Sequence, residues 1–148
     1  MCQKLKYLIS TILFCFLSSS CQSHVNIHMD ASNSLNPDIR KHIAEPVGLS
    51  IFQLKEKQKF TQASYFSLID EPSQILDKDY IDPVINIMIS PSESKDIKIK
   101  LNPETKYIGI VAAFESIESA RWKQIILLEG SHKKNITLKL ENRMLKLN

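Results

Sequence analysis

Residues 82–114 read DPVINIMISPSESKDIKIKLNPETKYIGIVAAF, and this stretch decides the fold. An apolar run over 84–90 centres on Ile85, Ile87 and Ile89, and Pro91, Ser92 and Glu93 then turn the chain. Ile97, Ile99 and Leu101 alternate with Lys98 and Lys100, the period of two that marks a half-buried strand. A second turn follows at Asn102, Pro103 and Glu104. Residues 107–114 are nearly continuously apolar, as a central strand of a two-layer fold should be. The pattern is all-β.

The same signals continue on both sides. Downstream, 122–129 reads as another apolar strand, and Gly130, Ser131 and His132 read as a turn. Ile136, Leu138 and Leu140 then alternate with Thr137 and Lys139, and 143–147 returns as a last strand. Upstream, Val25, Ile27, Met29 and Ala31 alternate with Asn26, His28 and Asp30. Val47, Leu49 and Ile51 share one face of a strand over 47–54. Between 55 and 70 the period changes: Thr61, Tyr65, Leu68 and Ile69 fall on one helical stripe with Phe60, Ala63 and Phe66 beside it. Pro72 suits the first position of a further helical turn. About eight short strands with one short helical insertion predict a two-sheet β-sandwich, with a barrel as the competing closure.

The first twenty residues are a different kind of segment. Lys4 and Lys6 precede an apolar run over 7–17, and Ser18, Ser19 and Ser20 follow, the order of a secretory signal. The apolar core falls short of the roughly 20 residues a membrane-spanning helix needs. Small residues directly before Cys21 resemble a bacterial lipobox, although Ser18 stands where such motifs usually carry Leu. The expected chemistry is alkylation of the Cys21 thiol by diacylglycerol and cleavage before it. Gln22 next to the cysteine, in place of Asp, favours sorting to the outer membrane. Cysteine usage agrees: of Cys2, Cys15 and Cys21 two lie in the leader, so an exported chain retains one thiol and no internal disulfide. The predicted organisation is a signal peptide over 1–20, a lipidated tether over 21–24 and a sandwich domain over 25–148.

Composition bounds the partners. Of 19 basic residues Lys4 and Lys6 fall in the leader, leaving 17 against 16 acidic ones. A near-neutral body argues against nucleic acid, because phosphate binding needs a concentrated basic face. Catalytic signatures are missing. His24, His28, His42 and His132 show no metal-ligand spacing, there is no Gly-x-Ser-x-Gly elbow, and three glycines cannot build a phosphate-cradling loop. Asp77 with Asp79, and Glu115 with Glu118, read as solvated loop carboxylates. Neither a metal nor another cofactor is expected. The remaining candidate is the long connection over 32–46, turn-forming at Asn33, Asn36, Pro37 and Asp38. It holds Leu35 and Ile39 among polar residues, with Arg40 and Lys41 beside them. Apolar side chains in a polar loop anchor partners or pack back onto the domain, and both readings stand here.

Several segments in order resemble the TssJ (SciN-like) family of type VI secretion lipoproteins. They are Leu35-Asn36-Pro37-Asp38, Pro46-Val47 leading into Ile51-Phe52-Gln53-Leu54-Lys55, Phe60 with Ala63, Tyr65, Phe66 and Leu68, then Ile110-Val111-Ala112-Ala113-Phe114 and Arg121-Trp122. Departures fall at turns and edges: Leu76-Asp77 where the family often has Leu-Gly, Pro91-Ser92 where it often has Pro-Gly, and Glu115 where Arg is common. The resemblance implies a transthyretin-like sandwich and no enzymatic activity. It implies a lipid anchor in the outer membrane on the periplasmic face. It also implies a contact between the first inter-strand loop (Asn33, Leu35, Asn36, Pro37, Asp38, Ile39, Arg40, Lys41) and the periplasmic C-terminal domain of TssM, within a complex with TssL. Competing readings are a periplasmic module binding carbohydrate or peptide in an aromatic-lined pocket, and a small hydrolase.

Overall fold

A computed structural model describes residues 23–128 and 133–148 of the chain. The leader, Cys21 and the turn expected at Gly130 to His132 lie outside the described residues. Among the described residues eight strands form two four-stranded sheets. The first sheet has the order β4–β1–β7–β8, built from Ser94–Lys100, His24–Ala31, Lys133–Glu141 and Met144–Leu147. The second has the order β3–β2–β5–β6, from Tyr80–Ile89, Val47–Leu54, Tyr107–Ala113 and Lys123–Leu127. Every pairing is antiparallel except β1 with β7, which run side by side in the same direction.

The alternation read in the sequence fixes what lies between the sheets. Val25, Ile27, Met29 and Ala31 point inward from β1 and meet Val47, Leu49 and Ile51 of β2, with Ile108, Ile110 and Ala112 of β5. The continuous apolar run of β5 has a second cause. Its Val111, with Phe52 and Leu54 of β2, faces the other way and is covered by Phe60, Leu68 and Leu76 of the insertion. Strands buried on both faces lose alternation and read as unbroken apolar runs.

The insertion is three short helices, not one: α1 Gln58–Gln62, α2 Tyr65–Asp70 and α3 Pro72–Leu76. Ala63 leaves the helical region, and Ser64 caps α2 by accepting from the Ser67 amide at 3.2 Å, which separates the first two helices. Pro72 opens α3 as its sequence position suggests. The β3 strand begins at Tyr80, earlier than the sequence reading, which starts it after Pro83. Register with β2 jumps between Ile51/Ile85 and Gln53/Ile81, so Pro83 sits in an irregularity of an edge strand, where a missing amide costs nothing.

The two ends of the sandwich differ. At one end Ser23 accepts from the Leu101 amide at 2.9 Å, so the chain enters β1 beside the β4–β5 turn. Buried Gln53 braces that turn, donating to the Lys100 carbonyl and accepting from the Asn102 amide and the Thr105 hydroxyl. The eight residues of β1 then run about 25 Å at ~3.3 Å per residue to the opposite end, where the 32–46 loop begins.

Candidate functional site: the loop between the first two strands

The loop is built upward from two buried residues. Leu35 is 0% exposed and fills the core under the loop, a burial that contributes about 2 kcal/mol. Asn36 follows with φ of 44°, a left-handed conformation that asparagine tolerates better than most residues. Its backbone amide donates to the Asn142 carbonyl at 2.6 Å. Its side chain accepts from the Glu115 amide at 2.8 Å and donates to the Pro46 carbonyl at 3.3 Å. One side chain thus ties the loop's entry to its exit and to the β5–β6 connection. Arg143 adds a bond from Nη2 to the Pro37 carbonyl at 3.0 Å, while its buried Nε has no partner.

Above this base, Pro37 and Ala44 form an antiparallel bridge, so the loop is a short hairpin. Its tip is organised by Asp38. The carboxylate accepts from the amides of Lys41 at 2.6 Å and Arg40 at 2.7 Å. These two bonds hold the Asp38 carboxyl below the usual carboxylate range. The Asp38 amide donates to Ile43, and the His42 amide donates to the Asp38 carbonyl. The Ile39 amide donates to the Glu115 carboxylate at 3.2 Å, pinning the tip to the neighbouring connection.

The residues singled out from the sequence therefore divide. Leu35 and Asn36 are buried and hold the loop up; the Leu35 side chain packs into the core instead of facing outward. Pro37 and Asp38 are half-buried and shape the turn. Asn33, Ile39, Arg40 and Lys41 are exposed. Ile43, four residues after Ile39 and absent from the sequence reading, is 57% exposed against 55% for Ile39. The signal was present in that spacing: two isoleucines flank the tip of a polar loop. Arg40 and Lys41 lie between them, and the Lys41 charge also acts on the Asp38 carboxylate. The tip offers apolar side chains with two cations, chemistry that fits an apolar cleft with an acidic rim.

Other candidates are dispersed. His28 pairs with Asp96 at 2.8 Å across the exposed face of β1 and β4. Asp77 and Asp79 share Lys59, at 3.1 and 3.9 Å, and the Lys59 hydrogen bond is the main cause that lowers the Asp77 carboxyl. Among the described residues no group of three His, Cys, Asp or Glu side chains is placed to hold a metal ion. A shallow groove of about 380 Å³ runs between α2 and the outer face of the second sheet, lined chiefly by Tyr65, Ile69, Ile87, Met88 and Val111. Its polar members Ser50 and Asn86 bond each other at 2.7 Å, so they do not converge on a ligand. Among the described residues no helix is long and apolar enough to cross a membrane.

Lys123 carries a role that sequence reasoning missed. Its ammonium donates to the carbonyls of Phe60, Thr61 and Ala63 at 2.8 to 3.1 Å and lies 4.8 Å from the centre of the Trp122 ring. It closes the C-terminal end of α1 and fastens the insertion to β6. Burial pushes its pKa below the usual lysine value.

Fold and site together define a two-sheet sandwich that carries a braced loop at one end. The sequence profile described as type VI secretion lipoprotein, VasD, EvfM, TssJ matches residues 23–143, and the chain belongs to that family. No curated protein sequence matches it. Its structure is similar to the T6SS lipoprotein TssJ1 from Pseudomonas aeruginosa, with a TM-score of 0.80 and 26% identity over 86% of this chain and 95% of that one. Serratia marcescens Lip, described as a membrane bound component of the type VI secretion system, shares the fold. There the TM-score is 0.78 and the identity 16%, over 85% and 97% of the two chains. The fold also matches a chain in a structure described as the T6SS protein TssM C-terminal domain from EAEC, with a TM-score of 0.69 and 19% identity over 85% and 98%. The family and the β-sandwich expected from the sequence are the ones found.

Proposed function

We propose that this chain is the outer-membrane lipoprotein of a type VI trans-envelope complex, acting as a structural clamp with no catalytic group or cofactor. In this reading residues 1–20 are removed and Cys21 carries the acyl chains. The sandwich sits on the periplasmic face of the outer membrane, and the 32–45 loop grips the periplasmic C-terminal domain of TssM in a complex with TssL. The observation that carries the reading is the separation of the two functional ends. The chain enters from the cysteine at one end of β1, and a braced loop with exposed Ile39 and Ile43 leaves the other. A molecule linking a membrane to a periplasmic partner needs that polarity. The membrane-bound description of the Serratia relative and the TssM description of a structure with the same fold support it.

The test is the double variant Ile39→Asp with Ile43→Asp. Both side chains are exposed, so the thermal midpoint stays unchanged. Capture of the TssM C-terminal domain should weaken at least tenfold, the scale of two apolar contacts at an interface centre. Undiminished capture would overturn the loop assignment. The anchor is tested separately with Cys21→Ser, which should leave the protein soluble in the periplasm and stop secretion.

A further inference from the structure

The end of the sandwich next to the tether is rich in lysine. Among the described residues, four acidic side chains there are engaged: Glu104 with Lys55 at 2.9 Å, Glu56 with Lys106 at 2.6 Å, and Asp77 and Asp79 with Lys59. Four exposed lysines of the same end, Lys57, Lys78, Lys98 and Lys100, stand outside the ion pairs found among the described residues. Lys100 lies opposite His24 at the start of β1, and Lys98 opposite Asn26. Lys57 precedes α1 beside Tyr107, and Lys78 lies in the 3-10 turn Asp77–Asp79. The loop end mixes signs, with Asp30, Glu45 and Glu118 beside Arg40, Lys41 and Arg121.

The length of the tether makes these lysines consequential. Ser23 is held to the body by the Leu101 amide, so a single residue, Gln22, separates Cys21 from the fixed chain. Two Cα–Cα steps reach about 7 Å at most. An acyl chain on Cys21 therefore brings this end of the sandwich down to the lipid headgroups, within a Debye length of about 10 Å at 0.1 M salt. The four exposed lysines then lie on the end that faces the phosphate charge.

We infer that the tethered end is a second membrane contact: Lys57, Lys78, Lys98 and Lys100 engage anionic phospholipid headgroups and stand the sandwich upright, with its loop facing away. The inference rests on the acylation of Cys21 proposed above. A single flexible acyl tether would let the domain tumble, whereas a charged end fixes its tilt. Each lysine held near an anionic surface multiplies the contact equilibrium about fivefold.

The experiment uses the full acylated protein, with acylation first established by mass spectrometry, in nanodiscs of phosphatidylcholine alone or with one part in three phosphatidylglycerol. Amide hydrogen exchange is followed at 102–105 and 77–79 near the tether, with 38–43 at the far end as internal control. Phosphatidylglycerol should slow exchange at least fivefold at the first two segments and not at the third, and high salt should remove the effect. The variant with Lys57, Lys78, Lys98 and Lys100 each changed to Gln, checked for an unchanged melting curve, should lose it as well. Equal exchange in both lipids for the acylated protein would overturn this inference and leave the anchor standing. An unmodified Cys21 in the mass spectrum would overturn the anchor, and this contact with it.

Discussion

Asn36 concentrates the loop's support in one side chain, so Asn36→Ala is the most informative single change. The substitution strips the acceptor from the Glu115 amide and the donor from the Pro46 carbonyl, both partly buried. Each orphaned group costs about 1–3 kcal/mol, reduced where the loop can open and admit water. Alanine is also less at ease than asparagine at a φ of 44°. Together these lower the free energy of opening the loop by about 2 kcal/mol, with Leu35 still holding its root. The amides of Arg40, Lys41 and His42, bonded within the tip, should then exchange about 30-fold faster, because 1.4 kcal/mol is a factor of ten. Global stability should fall by a similar amount while the closed loop remains the ground state. Asn36→Gly separates the terms: it relieves the backbone and still lacks both side-chain bonds, so it should restore only a small part of the loss. Exchange measured by mass spectrometry or NMR decides. If both variants leave the tip amides as protected as before, Asn36 does not hold the loop, and the foundation described above is wrong.

Further expectations follow from other positions. A methyl group at Gly109 would stand 2.6 to 3.0 Å from the Phe60 ring, which is itself fully buried, so Gly109→Ala should cost about 1–3 kcal/mol in denaturant unfolding. A neutral result would mean that α1 is not seated on β5. Ser92 has a φ of 61° after Pro91, in a turn where the Glu93 amide reaches the Ser90 carbonyl. Relief of left-handed strain against the extra entropy of glycine leaves Ser92→Gly more stable by roughly 0.5–1 kcal/mol, and Ser92→Ala no better than the parent. The depressed pKa of Asp38 has a definite sign. Its bonds to the Lys41 and Arg40 amides stabilise the tip in full above the ordinary aspartate range, and that stabilisation is lost as pH falls through the depressed value. The Arg40 and Lys41 amide resonances should shift together in that acid window, and Asp38→Asn should abolish the transition.

The legible parts of the sequence were those in which one physical cause acted alone. Val25 to Ala31 alternate because β1 has one core face and one wet face, and the strand lies where the pattern places it. Val47–Leu54 was bounded correctly by its apolar run, but the cause of the run, a second layer of helices over Phe52 and Leu54, needs the insertion in place. The two turns lacking the family's glycine were visible as departures. Asp77 and Ser92 hold φ of 50° and 61°, the left-handed region that favours glycine. What the sequence could not show is contact between distant segments. Lys123 reaches back about sixty positions to close α1, and Arg143 lies under the loop only because β8 returns beside it. The division of the loop into a buried Leu35 and an exposed Ile39 likewise depends on which way the chain leaves β1.

The strand arrangement bears on how such a molecule carries tension. Pull applied between the tether and the loop tip enters β1 at His24 and leaves at Ala31, along the strand. Because β1 is interior to its sheet, it is bonded along its length to β4 on one side and β7 on the other. Force in that direction is borne by the backbone of β1, which is already extended, while its bonds to β4 and β7 hold it in place. At the far end the two sheets are also joined: the Arg121 amide donates to the Arg143 carbonyl, and the Leu145 amide donates to the Arg121 carbonyl. The C-terminal strand β8 has four residues, laddered to β7 on one side and held on the other at its start by Arg121 and Gln124, so its C-terminal residues can be peeled from β7 one bond at a time. Single-molecule pulling between positions 23 and 40 should therefore require clearly higher force than pulling between 23 and 148. Equal forces along the two axes would show that β1 is not the element that resists, and the mechanical argument for a tether and a grip at opposite ends of one strand would fail with it.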